Sequence, residues 1–160
     1  MEIRLDNLKT PQVIALIREH LAAMEPTAPP ESRHALDLRE LRGPDVAFWA
    51  IWDGDTVAGI GALKRLSAGH AEIKSMKTAV PYLRKGIGSR MLDHIILEAK
   101  QSGYQELSLE TGTMAFFGPA RQLYQSFGFV ECGPFGDYVE DPNSVFMTKD
   151  LNSSAPNVNE

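Results

Sequence analysis

Hydrophobic and polar residues change their period several times along the chain, and each change marks an element. From Met1 to Asp6 charged and apolar residues alternate, as in a short strand. Thr10-Pro11 offers a capping side chain followed by proline at the first helical position, and Val13, Leu16, Ile17, Leu21 and Met24 then recur at helical spacing. Pro26, Pro29 and Pro30 break this pattern, and Leu36, Leu38 and Leu41 predict a shorter helix ending at Gly43-Pro44. Two apolar strands follow, Val46–Trp52 and Val57–Leu63, joined by the turn residues Asp53-Gly54-Asp55. After Ser67-Ala68-Gly69, Ala71–Ala79 alternates, which puts Glu72, Lys74, Met76 and Thr78 on one face and Ile73, Ser75 and Lys77 on the other.

Pro81 ends that strand. The loop Arg84-Lys85-Gly86-Ile87-Gly88-Ser89 opens a long helix whose apolar stripe is Ile87, Met91, Leu92, Ile95, Ile96 and Ala99, with Gly103 as its C-terminal stop. Gln105–Glu110 reads as a strand, Pro119–Phe127 as a helix closed by Gly128, and Phe129–Cys132 and Val145–Lys149 as two final strands. The order predicts an α/β fold with one mixed, mostly antiparallel sheet of about seven strands flanked by helices. Residues 1–151 form one domain, and the polar stretch 152–160 is an expected disordered tail.

Composition narrows the function classes. A chain of 160 residues with 43% apolar and 23% charged residues can build its own core. The net charge of −5 gives no basic nucleic-acid footprint, and no apolar run reaches the length of a membrane span. The N-terminus lacks the charged-then-apolar order of a signal peptide, and the single cysteine, Cys132, forms no internal disulfide; a cytoplasmic, reducing compartment is expected. None of the four histidines has metal-ligand spacing, so no metal is expected.

The strongest chemical signal is the loop at residues 84–89. A helix N-terminus presents unpaired N–H groups and a positive dipole end, glycine lets a ligand approach the backbone, and Arg84 and Lys85 add charge; together these favour a phosphate. The P-loop pattern is absent, and Met91 stands where a dinucleotide fingerprint needs its third glycine.

Leu83-Arg84-Lys85-Gly86-Ile87-Gly88 is similar to the Gln/Arg-x-x-Gly-x-Gly/Ala segment of the GNAT superfamily of acyl-CoA-dependent N-acetyltransferases. Ala120-Arg121-Gln122-Leu123-Tyr124-Gln125-Ser126-Phe127-Gly128-Phe129 resembles that family's Ala-x-x-Leu-Tyr-x-x-x-Gly-Phe. The two motifs lie in the family's order, and the resemblance spans about residues 2–151. Two positions depart from it: Leu83 replaces the usual Gln or Arg, and Phe117 stands where many members have Asn.

The resemblance implies acetyl-CoA as cosubstrate, lying between the fourth and fifth strands. The backbone of Met76 and Thr78 would pair with its pantetheine arm, and Arg84, Lys85, Gly86, Ile87, Gly88 and Ser89 would hold its pyrophosphate. The Met76 N–H would face the thioester oxygen as charge develops there. Tyr124 would be the general acid that protonates the leaving thiolate. Glu72, where some members carry a catalytic glutamate, is the expected general base. His20, Lys74, Glu110 and Thr111 are candidate contacts for the acceptor, expected to be a primary amine of a small molecule. A protein amine, or a non-catalytic acyl-CoA-binding or regulatory module on the same fold, are the alternatives. A homodimer is common in the family. His94 reads as a solvated residue on the polar side of its helix, and Cys132 as a packing residue.

Overall fold

The computed structural model describes residues 1–32 and 34–152. Seven strands form one sheet: β1 (Glu2–Leu5), β2 (Val46–Asp53), β3 (Thr56–Ser67), β4 (His70–Thr78), β5 (Glu106–Gly112), β6 (Val130–Cys132) and β7 (Ser144–Asp150), in the order β1-β2-β3-β4-β5-β7-β6. Every neighbouring pair is antiparallel except β4–β5. Four helices flank it: α1 (Pro11–Met24), α2 (Leu38–Leu41), α3 (Ile87–Gln101) and α4 (Gly118–Ser126). The expected tail from residue 153 onward lies outside the described residues.

Strand alternation splits the core into two layers. Trp49 and Ile51 of β2 join Met91, Leu92 and Ile95 of α3 and Tyr124 of α4 on one side. Phe48 and Ala50 meet Val13, Leu16 and Ile17 of α1 on the other. The α3 layer depends on two missing side chains. A Cβ on Gly59 would stand 2.7 Å from Ile87 Cγ2, and one on Gly61 2.6 Å from Met91 Cγ. These glycines let α3 settle onto β3 and thereby fix where its N-terminus points.

Several local expectations are corrected. The helix expected around Leu36 is a single turn, Leu38–Leu41, held by an Asp37–Glu40 capping box. The Thr10 hydroxyl does not cap α1; it donates to Asp6 Oδ1 at 2.9 Å. His94 is not solvated: its ring stacks edge-on against Trp49, with its Nε2 enclosed. Cys132 is exposed rather than packed, because β6 is the sheet edge.

The alternation of β4 is also broken. Ile60 pairs with Lys77 and Ala62 with Lys74, so one β3 residue, Gly61, faces two β4 residues, Ser75 and Met76. This is a β-bulge, with Ser75 in the left-handed region at φ 55°. The inserted residue turns Met76 toward α3 and moves Lys77 onto the α1 face with Lys74, against the expected alternation.

Candidate active site

The parallel β4–β5 ladder is three pairs long: His70 with Glu106, Ala71 with Leu107 and Glu72 with Ser108. Beyond Glu72 and Ser108 the strands part. The bulge at Ser75 bends β4 away, and on the other flank β5 stays paired to β7 as far as Gly112. The result is a wedge-shaped opening in the middle of the sheet. A cavity of about 140 Å³ lies at this opening, and its walls include Met76, Leu109, Glu110, Phe117 and Tyr124.

The N-terminus of α3 lies beyond the end of β4. Gly86 is its N-cap at φ 78°, Arg84 is left-handed at φ 63°, and the cap has neither a side-chain hydrogen bond nor an acidic residue in the first turn. The first helical bond runs from the Arg90 N–H to the Gly86 carbonyl, which leaves the Ile87, Gly88 and Ser89 amides without helical acceptors. Arg84 and Lys85 are exposed beside them. This end of the helix attracts an anion by its amides, its dipole and its cations together.

Tyr124 is buried among the residues around α3, its ring 5.8 Å from that of Phe129, and it lines the cavity. Burial pushes its phenol well above the usual range, so it stays protonated across neutral pH. Phe117 covers the far end of β5 so closely that a Cβ on Gly112 would overlap its ring.

Glu72 sits differently from Tyr124, the other expected catalytic residue. It is 3% exposed, it is absent from the cavity wall, and Lys74 Nζ lies 3.2 Å from its Oε2. The Tyr138 hydroxyl donates to the same oxygen at 2.5 Å. Lys74 lines the cavity, but its ammonium already donates to Glu72, to Tyr138 Oη at 2.9 Å and to the His34 carbonyl at 2.9 Å. All three of its protons are used. The Tyr138 ring meets His34 edge-on at 4.9 Å and Phe135 at 5.0 Å. Tyr138 and His34 were not singled out in the sequence, because each lies in an aperiodic segment far from its partner strand.

His20, Glu110 and Thr111, expected as acceptor contacts, line the cavity together. His20 is 8% exposed; burial first, then Lys77 and Lys74, lowers its pKa to about 4 and keeps it neutral. The Glu110 carboxyl is raised to about 7, chiefly by burial. The Ser75 hydroxyl oxygen is buried without a hydrogen-bond partner among the described residues, and its residue lines the same cavity. Among the described residues no cluster of His, Cys, Asp or Glu could hold a metal ion, and no helix is long and apolar enough to cross a membrane.

Comparison with known proteins gives concordant results. The profile of the acetyltransferase (GNAT) family matches residues 13–129. The chain is 58% identical over 151 residues to YsnE of Bacillus subtilis (strain 168), named an uncharacterised N-acetyltransferase, covering 94% of this chain and 100% of that one. It is 40% identical over 141 residues to a protein of Azospirillum brasilense named IAA acetyltransferase, covering 87% and 90% of the two chains. In three dimensions it resembles an aminoglycoside 6'-N-acetyltransferase solved with coenzyme A, with a TM-score of 0.71 and 15% identity over 96% of this chain and 98% of that one.

Proposed function

The chain belongs to the acetyltransferase (GNAT) family, and from that premise we propose that it moves an acetyl group from acetyl-CoA to a primary amine of a small molecule by direct attack. One observation carries the reading: a protonated tyrosine lines the cavity at the β4–β5 opening, and an uncapped, cation-flanked helix N-terminus stands beyond the end of β4. The opening takes an extended arm, and the helix end takes a pyrophosphate.

In this reading the free backbone edge of Met76 and Thr78 pairs with the pantetheine arm, since β4 has no β5 partner beyond Glu72. The amides of residues 84–89, with Arg84 and Lys85, hold the pyrophosphate. The Met76 N–H faces the thioester oxygen as it gains charge. Tyr124 gives its proton to the departing sulfur; a thiolate whose thiol has a pKa near 8.5 is a far weaker base than the phenolate left behind, so the transfer is concerted with C–S cleavage. His20, Lys74, Glu110 and Thr111 surround the acceptor's place, with Lys74 held in its internal network.

A second reading has a specific source. The Azospirillum brasilense relative is named for IAA, so that compound belongs among the acceptors tested. The experiment is thiol release from acetyl-CoA with a panel of glycine, spermidine, kanamycin, a short lysine-containing peptide and IAA. We expect release with a small primary amine. Transfer to the peptide alone favours a protein acceptor, and tight acetyl-CoA binding with no release across the panel favours a non-catalytic acyl-CoA-binding module.

A further inference from the structure

An attacking amine near pKa 10 is mostly protonated at neutral pH and must give a proton to something within reach. Glu72 is not part of the cavity wall, and its Oε2 already accepts from Lys74 and Tyr138. Besides Tyr124 and the already engaged Lys74, three titratable groups line the cavity: His20, His34 and Glu110. His20 is lowered to about 4, chiefly by burial, which makes it a weak base, and His34 is held with its carbonyl on the Lys74 ammonium and its ring edge-on against Tyr138.

Glu110 is placed differently. It stands two residues beyond Ser108, the last β5 residue paired with β4, and therefore at the mouth of the opening. The Ser144 hydroxyl donates to its Oε2 at 2.8 Å and fixes the carboxyl group, while its second oxygen has no partner among the described residues. From β4, across the opening, the buried and unpartnered Ser75 hydroxyl lines the same cavity, as does Tyr124 from α4. A buried hydroxyl without a partner is uncommon and marks a position where a ligand's polar atom fits.

We propose that Glu110 is the proton acceptor for the amine and that the Ser75 hydroxyl hydrogen-bonds the same nitrogen, an assignment that rests on the acetyl-transfer reading above. One N–H bond of the ammonium breaks and its proton passes to Glu110. The freed lone pair forms the N–C bond at the thioester carbonyl. The C–S bond breaks with its electron pair going to sulfur, which takes the Tyr124 proton. The second nitrogen proton leaves as the amide forms and restores Tyr124 through solvent, while Glu110 returns its own proton to solvent. The groups facing Glu110 are Ser144 on β7, Lys74 and Glu72 on β4 and Asp141 in the loop before β7; Ser144 and Lys74 favour the carboxylate, Glu72 and Asp141 disfavour it. With burial as the largest effect, the balance leaves the carboxyl near 7, where a general base works best at neutral pH.

The test is the pH dependence of kcat/KM, measured with the panel member that the wild type acetylates fastest. Silence of the wild type across the panel defeats the acetyl-transfer reading itself. Given wild-type turnover, Glu110→Gln should lower kcat/KM at neutral pH by about 100-fold or more and remove the rising limb near pH 7, with acetyl-CoA affinity retained. Ser144→Ala should move that limb to higher pH, since it removes a donor that favours the carboxylate, whereas a limb due to the free amine would stay in place. A Glu110→Gln enzyme within threefold of wild type with the limb intact overturns the proposal. If that variant does not bind acetyl-CoA, an unmoved limb in Ser144→Ala overturns it.

Discussion

The Tyr138 hydroxyl and the Glu72 carboxylate are 2.5 Å apart, and this one hydrogen bond fastens the segment between β6 and β7 to the middle of β4. Lys74 sits beside both and adds the His34 carbonyl, so segments from opposite ends of the chain meet on one buried ion pair. Tyr138→Phe removes the donor and leaves the ring against His34, Phe135 and Phe146. A bond to a charged group is worth about 1.5–3 kcal/mol. The expected outcome is a fall in Tm of several degrees by calorimetry. The KM for the acceptor should rise more than kcat falls, because Asn143 of the same segment lines the cavity.

Glu72→Gln separates an ion-pair role from a proton-transfer role. Removing one member of a buried pair leaves the Lys74 ammonium enclosed, at a cost on the order of 3 kcal/mol. The expectation is a lower Tm with the pH limb of kcat/KM unmoved. An unchanged melt combined with a hundredfold loss of kcat/KM would return the proton-acceptor role to Glu72.

Gly86→Val tests the anion site. A Cβ at residue 86 meets no protein atom within 4 Å, so crowding inside the protein is not the obstacle; the obstacle is φ 78°, which a β-branched residue does not tolerate. The turn should relax and redirect the amides of residues 87–89. Acetyl-CoA binding by calorimetry should weaken at least tenfold, or about 1.4 kcal/mol, with the far-ultraviolet spectrum unchanged. Undiminished affinity would remove the pyrophosphate from this helix end.

Tyr124→Phe deletes one oxygen and keeps the ring in contact with Phe129. Binding of acetyl-CoA should persist, and turnover should fall by about 10² to 10⁴ when chemistry limits the rate. A thioester with a more acidic thiol should recover part of the loss. Full turnover with acetyl-CoA in single-turnover experiments would leave this tyrosine a core residue only.

His20 should make stability depend on acid. Its folded pKa of about 4 lies below the unfolded value of 6.5, so between those values the unfolded chain binds more protons. The stabilisation is complete above pH 6.5 and is lost as pH falls toward 4. For a residue this buried the effect is roughly 3 kcal/mol. Melting temperatures at pH 7, 5.5 and 4.5 should fall in the wild type and fall less in His20→Gln.

The element order and the helix-opening loop could be read in the sequence because both are local. Alternation, helical spacing and two glycines within three residues are each written in neighbouring positions. The bulge at Ser75 could not be read, since one inserted residue leaves the surrounding alternation looking continuous. It put Lys77 on the wrong face. The identity of the carboxylate open to the cavity was equally hidden. Glu72 and Glu110 are both strand glutamates, and what separates them is Tyr138, 66 residues from one and 28 from the other in a segment with no period. Covering contacts between distant, aperiodic segments have no local signature.

The brevity of the β4–β5 ladder has a mechanical consequence. Among the described residues, three residue pairs, extended by the Gln105 and Glu106 amides on the Gly69 carbonyl, form the backbone seam between a four-stranded plate, β1 to β4, and a three-stranded plate, β5 to β7. The angle between the plates is therefore set by the apolar filling that spans them, in which Met91, Leu92 and Ile95 of α3 share one cluster with Leu107, Leu109 and Met147. The core behind the sheet acts as a spacer, and the width of the opening is a property of side-chain volume on a helix face that lies outside the cavity wall.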